Sequence, residues 1–192
     1  MTILRARALL LTTVLALAAP GARAHAADVF TLSSTNFKDG QMLPKAAGDI
    51  PARGGNCKGD NVSPELAWSN PPEGTKSYAF IVLDPDGGLG AGLIHWVGYG
   101  VAPDVTAFAE GEISQPSDKY VGGKSGKGLA FFGGPCPPVG SPHHYVFQII
   151  ATDLDPKDLP PGLTRPELME KLKGHRKGES SLVGTYVNPY PP

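Results

Sequence analysis

The sequence carries almost no net charge: 17 Lys and Arg stand against 18 Asp and Glu, leaving −1. Binding nucleic acid or an anionic membrane through bulk electrostatics needs a clear basic excess, so neither is a partner of that kind. A hydrophobic run long enough to cross a membrane is also missing. The apolar stretch from Ala8 to Ala19 holds about a dozen residues where a span needs roughly 20. There are no internal repeats and no low-complexity linker. Neither C-x-x-C nor H-E-x-x-H metal spacing occurs, and no G-x-S-x-G turn presents a strained nucleophile. No metal and no cofactor are therefore expected. Cysteine is scarce, with two residues in the whole chain.

What is present begins with an export layout. Arg5 and Arg7 precede the apolar residues Leu9, Leu10, Leu11, Val14, Leu15 and Leu17. Pro20 and Gly21 break that run, and the small residues Ala22, Ala24 and Ala26 follow. Residues 1–24 thus read as a secretory signal peptide, cut before His25 or, in a second A-x-A frame, before Ala27. A periplasmic or secreted location follows. Removing 24 residues from 192 leaves 25–192, about 168 residues, a normal size for one domain around one core. In an oxidising compartment an even cysteine count favours a bridge between Cys57 and Cys136, with two buried free thiols as the alternative. Such a bridge would close a loop of about 80 residues, worth roughly 4 kcal/mol of chain entropy.

Glycine (25) and proline (20) together approach a quarter of the chain. That punctuation argues against a helical bundle and for short strands joined by turns. Val29 to Leu32 is a short β-prone segment, and residues 44–64 have the composition of loop. Ser77 to Leu83 is a continuous apolar run bounded by turn residues, the pattern of a strand buried on both faces. Ile94 to Val101 and His144 to Ala151 are two more, and Ser181 to Val187 reads as a short final strand or turn. One helix is legible: Thr164 and Glu167 form a capping box, Pro166 is tolerated in the first turn, and Leu168, Met169 and Leu172 share a face. Gly174 or Gly178 would end it.

Three clusters could carry chemistry. Asp84-Pro85-Asp86 follows the first long strand and by itself is an ordinary turn. His95-Trp96 lies inside a strand, where a single histidine is usually a hydrogen-bonded core residue. The third runs from Gly133-Gly134-Pro135-Cys136-Pro137-Pro138-Val139-Gly140 into Ser141-Pro142-His143-His144-Tyr145. Its prolines stiffen a wall but supply no N–H. Strand alternation points His143 and Tyr145 one way and His144 the other.

D-P-D, then H-W, then G-P-C-P-P-x-G-x-x-H-H-Y resembles the phosphatidylethanolamine-binding protein family, in its bacterial exported, Raf kinase inhibitor-like branch. Gly59 to Trp68 (G-D-N-V-S-P-E-L-A-W) and Leu163 to Tyr186 are similar to further segments of that family, so the resemblance spans nearly the whole mature chain. It implies a mainly β fold, a large, mostly antiparallel sheet packed on a smaller one with one or two C-terminal helices. It also implies a pocket for phosphate-type anions and phospholipid head groups. Asp84, His95, Pro137, His143 and Tyr145 would line that pocket, with Asp86 beside it and Cys136 in its wall. Gly87-Gly88 departs from the Ala-Pro usual after D-P-D, so the family's rim is not carried over.

Imidazole and phenol groups can donate hydrogen bonds to an anion, and a nearby carboxylate is expected to keep the histidines in their charged donor form. The resulting expectation is a non-catalytic binding protein for a small phosphorylated ligand or phospholipid head group, acting as an inhibitor or modulator. Two alternatives remain: an enzyme using the His/Asp cluster on a small phosphorylated or natural-product substrate, and a kinase or protease inhibitor-like module with a protein partner. Bacterial relatives of this kind pair as homodimers, which the resemblance extends to this chain.

Overall fold

The computed structural model describes residues 28–43, 45, 57 and 59–188. The signal-peptide reading of residues 1–24, with its cleavage sites, lies outside them. The apolar run that begins at Ser77 becomes β3 (Ser77–Asp84), and nearly all of its side chains are buried. It can be apolar on both faces because it is the middle strand of a five-stranded antiparallel sheet, flanked by β4 (Leu93–Val101) and β7 (His143–Thr152). The outer strands are β6 (Val121–Gly122) beside β4 and β8 (Arg176–Tyr186) beside β7. A second antiparallel sheet, β1 (Thr31–Ser33), β2 (Leu66–Ser69) and β5 (Ala107–Phe108), covers one face of the first. The expected architecture of a large sheet on a smaller one is what the chain adopts.

Alternation along β3 builds two cores. Tyr78, Phe80 and Val82 point toward the small sheet, where Trp68 sits 5.1 Å from Phe80 and Phe108 5.4 Å from Phe80, ring centre to ring centre. Ala79 and Ile81 point the other way, onto Leu168 and Leu172 of α1 (Arg165–Leu172). Thr164 and Glu167 cap that helix reciprocally, and Glu167 Oε2 accepts from the Thr164 N–H at 2.8 Å. The chain then takes a positive φ of 83° at Gly174 and turns into β8.

β8 is longer than the expected Ser181 to Val187 segment, starting at Arg176. Its first half is charged, yet it pairs with β7 as an edge strand: side chains stay in water while the backbone ladder is completed. β2, β5 and β6 carry too little pattern to be read as strands from sequence, at two to four residues each.

The β3–β4 ladder is irregular near its Asp84 end. Val82 pairs with Trp96 but the next residue, Leu83, pairs with Ile94, so His95 has no partner across the ladder. This is a β-bulge, which inserts one residue and re-aims a side chain. Strict alternation would send His95 to the helix side with Val97. The bulge instead places it on the face shared by Asp84, His143 and Tyr145.

Candidate functional site

The end of β3 and the starts of β4 and β7 lie at one end of the large sheet, since Asp84 pairs with Leu93 and Leu83 with Val146, three residues on from His143. Asp84 is buried there, and each of its oxygens has a separate task. Oδ1 accepts the backbone N–H groups of Asp86 at 3.0 Å and Gly87 at 2.9 Å, which folds the D-P-D-G turn. Oδ2 accepts from His143 Nδ1 at 2.8 Å and lies 3.9 Å from His95 Nε2. The bland turn and the chemical site are therefore the same carboxylate.

His95 is buried, and its Nδ1 is 2.5 Å from the Gly133 carbonyl oxygen. A carbonyl only accepts, so Nδ1 carries the proton and the neutral ring turns an Nε2 lone pair to the other side. That Nε2 has no hydrogen-bond partner. Burial, reinforced by the Lys127 ammonium, pushes the His95 pKa down to about 4. Asp84 opposes this shift and loses. The expectation that a carboxylate would keep both histidines charged thus fails at His95, because desolvation of a fully enclosed imidazolium outweighs one neighbour nearly 4 Å away.

Tyr145 is completely buried, with its ring edge-on to His95 at 5.1 Å. Its hydroxyl makes no close hydrogen bond but lies within reach of the Asp84 carboxylate. Burial first, and then the Asp84 carboxylate, raise its pKa far above the usual phenol range, so it stays a protonated donor.

These groups border a cavity of about 370 Å³, within the range of small-ligand sites. Asp84, Asp86, His95, Cys136, Pro137 and His143 line it, whereas Tyr145 packs behind His95 rather than on the wall. The wall residues 133–138 are held from outside, as prolines without N–H groups require. Asn61 clamps the start of that segment, donating to Phe132 O at 3.0 Å and accepting from Gly134 N at 2.6 Å. Asn188 donates to Pro137 O at 3.1 Å. Cys136 is bonded to Cys57, with Cα atoms 5.5 Å apart, and this settles the cysteine alternatives in favour of the bridge. Such a bond belongs to an oxidising compartment.

Sequence reasoning missed Lys127. It borders the cavity and donates to the Gly134 carbonyl, on a turn written G-G-K-S-G-K-G at Gly122 to Gly128. A basic residue inside so glycine-dense a turn is the signal that could have found it. Also missed was Leu89, an exposed rim residue at φ 60° in the Gly87-to-Gly92 loop. His144 points outward, as alternation predicts, but it is not idle: its backbone N–H and Nδ1 bind Asp86 Oδ2 at 2.8 and 2.9 Å. Those contacts hold the Asp86 carboxyl below its ordinary range, the backbone N–H contributing most.

A family model described as "Phosphatidylethanolamine-binding protein" matches residues 33–187, which include every cavity-lining residue above and strands β2 to β8 with α1. The chain belongs to the phosphatidylethanolamine-binding protein family. Relatives within it include a "UPF0098 protein" of Aquifex aeolicus, 31% identical over 160 residues, which are 82% of this chain and 88% of that one. A "Putative lipoprotein LppC" of Mycobacterium tuberculosis is 35% identical, over 85% of this chain and 75% of its own. The crystal structure of Escherichia coli YbcL, described as a new member of the mammalian PEBP family, superposes with a TM-score of 0.70. That match is 30% identical and covers 82% of this chain and 98% of YbcL. The D-P-D, H-W and G-P-C-P-P segments converge because β3 pairs with β4 and the Gly133 backbone bonds to His95.

Proposed function

We propose that this family member is an exported, non-catalytic binding protein that holds a small phosphate-type anion in the Asp84–His95–His143 cavity. The observation that carries this reading is a buried polar atom without a partner at the cavity wall, His95 Nε2, beside a carboxylate whose oxygens are already engaged. Buried polar atoms are almost always paired, so an orphan at a cavity wall points to a ligand. The Lys127 ammonium at the same wall supplies positive charge, and protonated His143 would offer Nε2–H to an anion. A binder is favoured over an enzyme because, among the described residues, the cavity wall offers no Ser or Thr and its cysteine is bonded in a disulfide. The disulfide, and a relative named as a lipoprotein, support export to the periplasm or beyond.

Titration calorimetry with phosphorylethanolamine tests the reading. Saturable binding at one site is expected, and His143→Ala should weaken it by about one to two orders of magnitude, the worth of one charge-assisted hydrogen bond. His144→Ala keeps the backbone N–H contact that contributes most to holding Asp86, and should bind nearly as the parent does. Loss of binding in His144→Ala with none in His143→Ala would sink the assignment.

A further inference from the structure

The cavity is not built simply to attract negative charge. Among the described residues, its lining sets two carboxylates, Asp84 and Asp86, beside the Lys127 ammonium, and His95 adds a neutral ring. A fully ionised, dianionic phosphate would face both carboxylates there. It would also meet a lone pair, because the Gly133 carbonyl fixes the proton of His95 on Nδ1 and leaves Nε2 as an acceptor. Oxygen lone pairs of an anion facing that nitrogen would repel it and leave it unpaired, a costly arrangement in a buried site. An oxygen carrying a proton reverses the sign of that contact.

We propose that the cavity selects a phosphate monoester in its monoprotonated form, its P–OH donating to His95 Nε2. This deepens, and rests on, the anion-binding reading above. Every group facing His95 fits such a ligand. Asp84 from β3 lies 3.9 Å from Nε2 and holds the His143 ring of β7, Tyr145 from β7 stays protonated behind it, and Lys127 approaches from the turn after β6. The ammonium can balance the single charge of the monoester monoanion. The proton is accounted for: above the second phosphate pKa of about 6, the free ligand is a dianion and takes one proton from solvent on entering. A sulfate ester has the same shape and charge as that monoanion but no proton to give. A phosphodiester, such as the head group of an intact phospholipid, has none either.

The consequence for ligand source is definite. A free phosphorylated head group or other small monoester is the preferred occupant, and an intact phospholipid is not.

Calorimetry on the unmodified protein separates the cases, using methyl phosphate against methyl sulfate and phosphorylethanolamine against glycerophosphorylethanolamine. At pH 6 each monoester should bind tighter than its counterpart by about tenfold or more, the worth of one hydrogen bond made rather than opposed. At pH 8, repeating the methyl phosphate titration in buffers of different ionisation enthalpy should show uptake approaching one proton per ligand. His95→Gln, whose amide can turn an N–H toward the ligand, should bring methyl sulfate and methyl phosphate to near parity. The two measurements on the parent protein stand even if that variant does not fold. Equal affinity for the sulfate or diester, or tight monoester binding at pH 8 without proton uptake, overturns the proposal while leaving an anion site. Binding of none of the four overturns the anion site itself.

Discussion

His95 shows how one residue can be recognised and still misjudged. A histidine near an aspartate invites the inference of an imidazolium, but burial dominates here and pushes its pKa down to about 4. The sign for stability follows. Between pH 6.5 and 4 the unfolded chain binds a proton on this residue that the folded chain refuses, so folding stability falls as pH drops through that window. The loss reaches about 3 kcal/mol by pH 4 and is absent above pH 6.5. Urea unfolding of the parent and of His95→Asn from pH 4 to 7.5 checks this: the parent should lose stability more steeply on acidification. Parallel curves would mean that His95 remains charged in the fold. Asp84 is the other residue whose role is divided. Asp84→Asn keeps an acceptor for the Asp86 and Gly87 N–H groups, so the turn should persist. The partner of His143 loses its charge, and affinity for phosphorylethanolamine should drop by about tenfold in calorimetry.

Among the elements, the two faces of the central sheet have separate duties. The face toward the small sheet ends in Asp84, His95, His143 and Tyr145, and the opposite face receives α1 through Leu168 and Leu172. Weakening α1 should therefore cost stability without touching the cavity. Thr164→Ala removes the helix cap and should lower unfolding stability by about 1 kcal/mol, with ligand affinity unchanged. Chemical denaturation and calorimetry on the same sample decide this; a large affinity loss would show that the helix side does shape the site. The helix was legible because a cap, a first-turn proline and an apolar stripe are all local signals. β8 was only half legible because its Arg-Lys-Gly-Glu start carries no strand signal of its own and becomes a strand by pairing with β7.

Across the whole molecule, the Cys57–Cys136 bond ties the cavity wall to a distant part of the chain, 79 residues away. Closing a loop of that length restricts the unfolded state by about 4 kcal/mol on the chain-entropy account. Reduction should lower the unfolding free energy by an amount of that order. It should also weaken ligand binding, because Cys136 is itself part of the wall. Denaturation and calorimetry with and without reductant measure both effects. Unchanged affinity after complete reduction would mean that Asn61 and Asn188 suffice to hold residues 133–138.

The sequence by itself determined the long strands, the capped helix, and that His143 and Tyr145 face opposite to His144. All of these follow from periodicities of two or 3.6 residues within one segment. Only the tertiary structure decided the rest. No periodicity announces the bulge that turns His95 onto the same face as Asp84. It arises from the register between two strands, which the packing of both faces sets together. Nor does composition report that the same ring loses its charge. Desolvation depends on what the remainder of the chain folds over it, and that is a property of the assembled core.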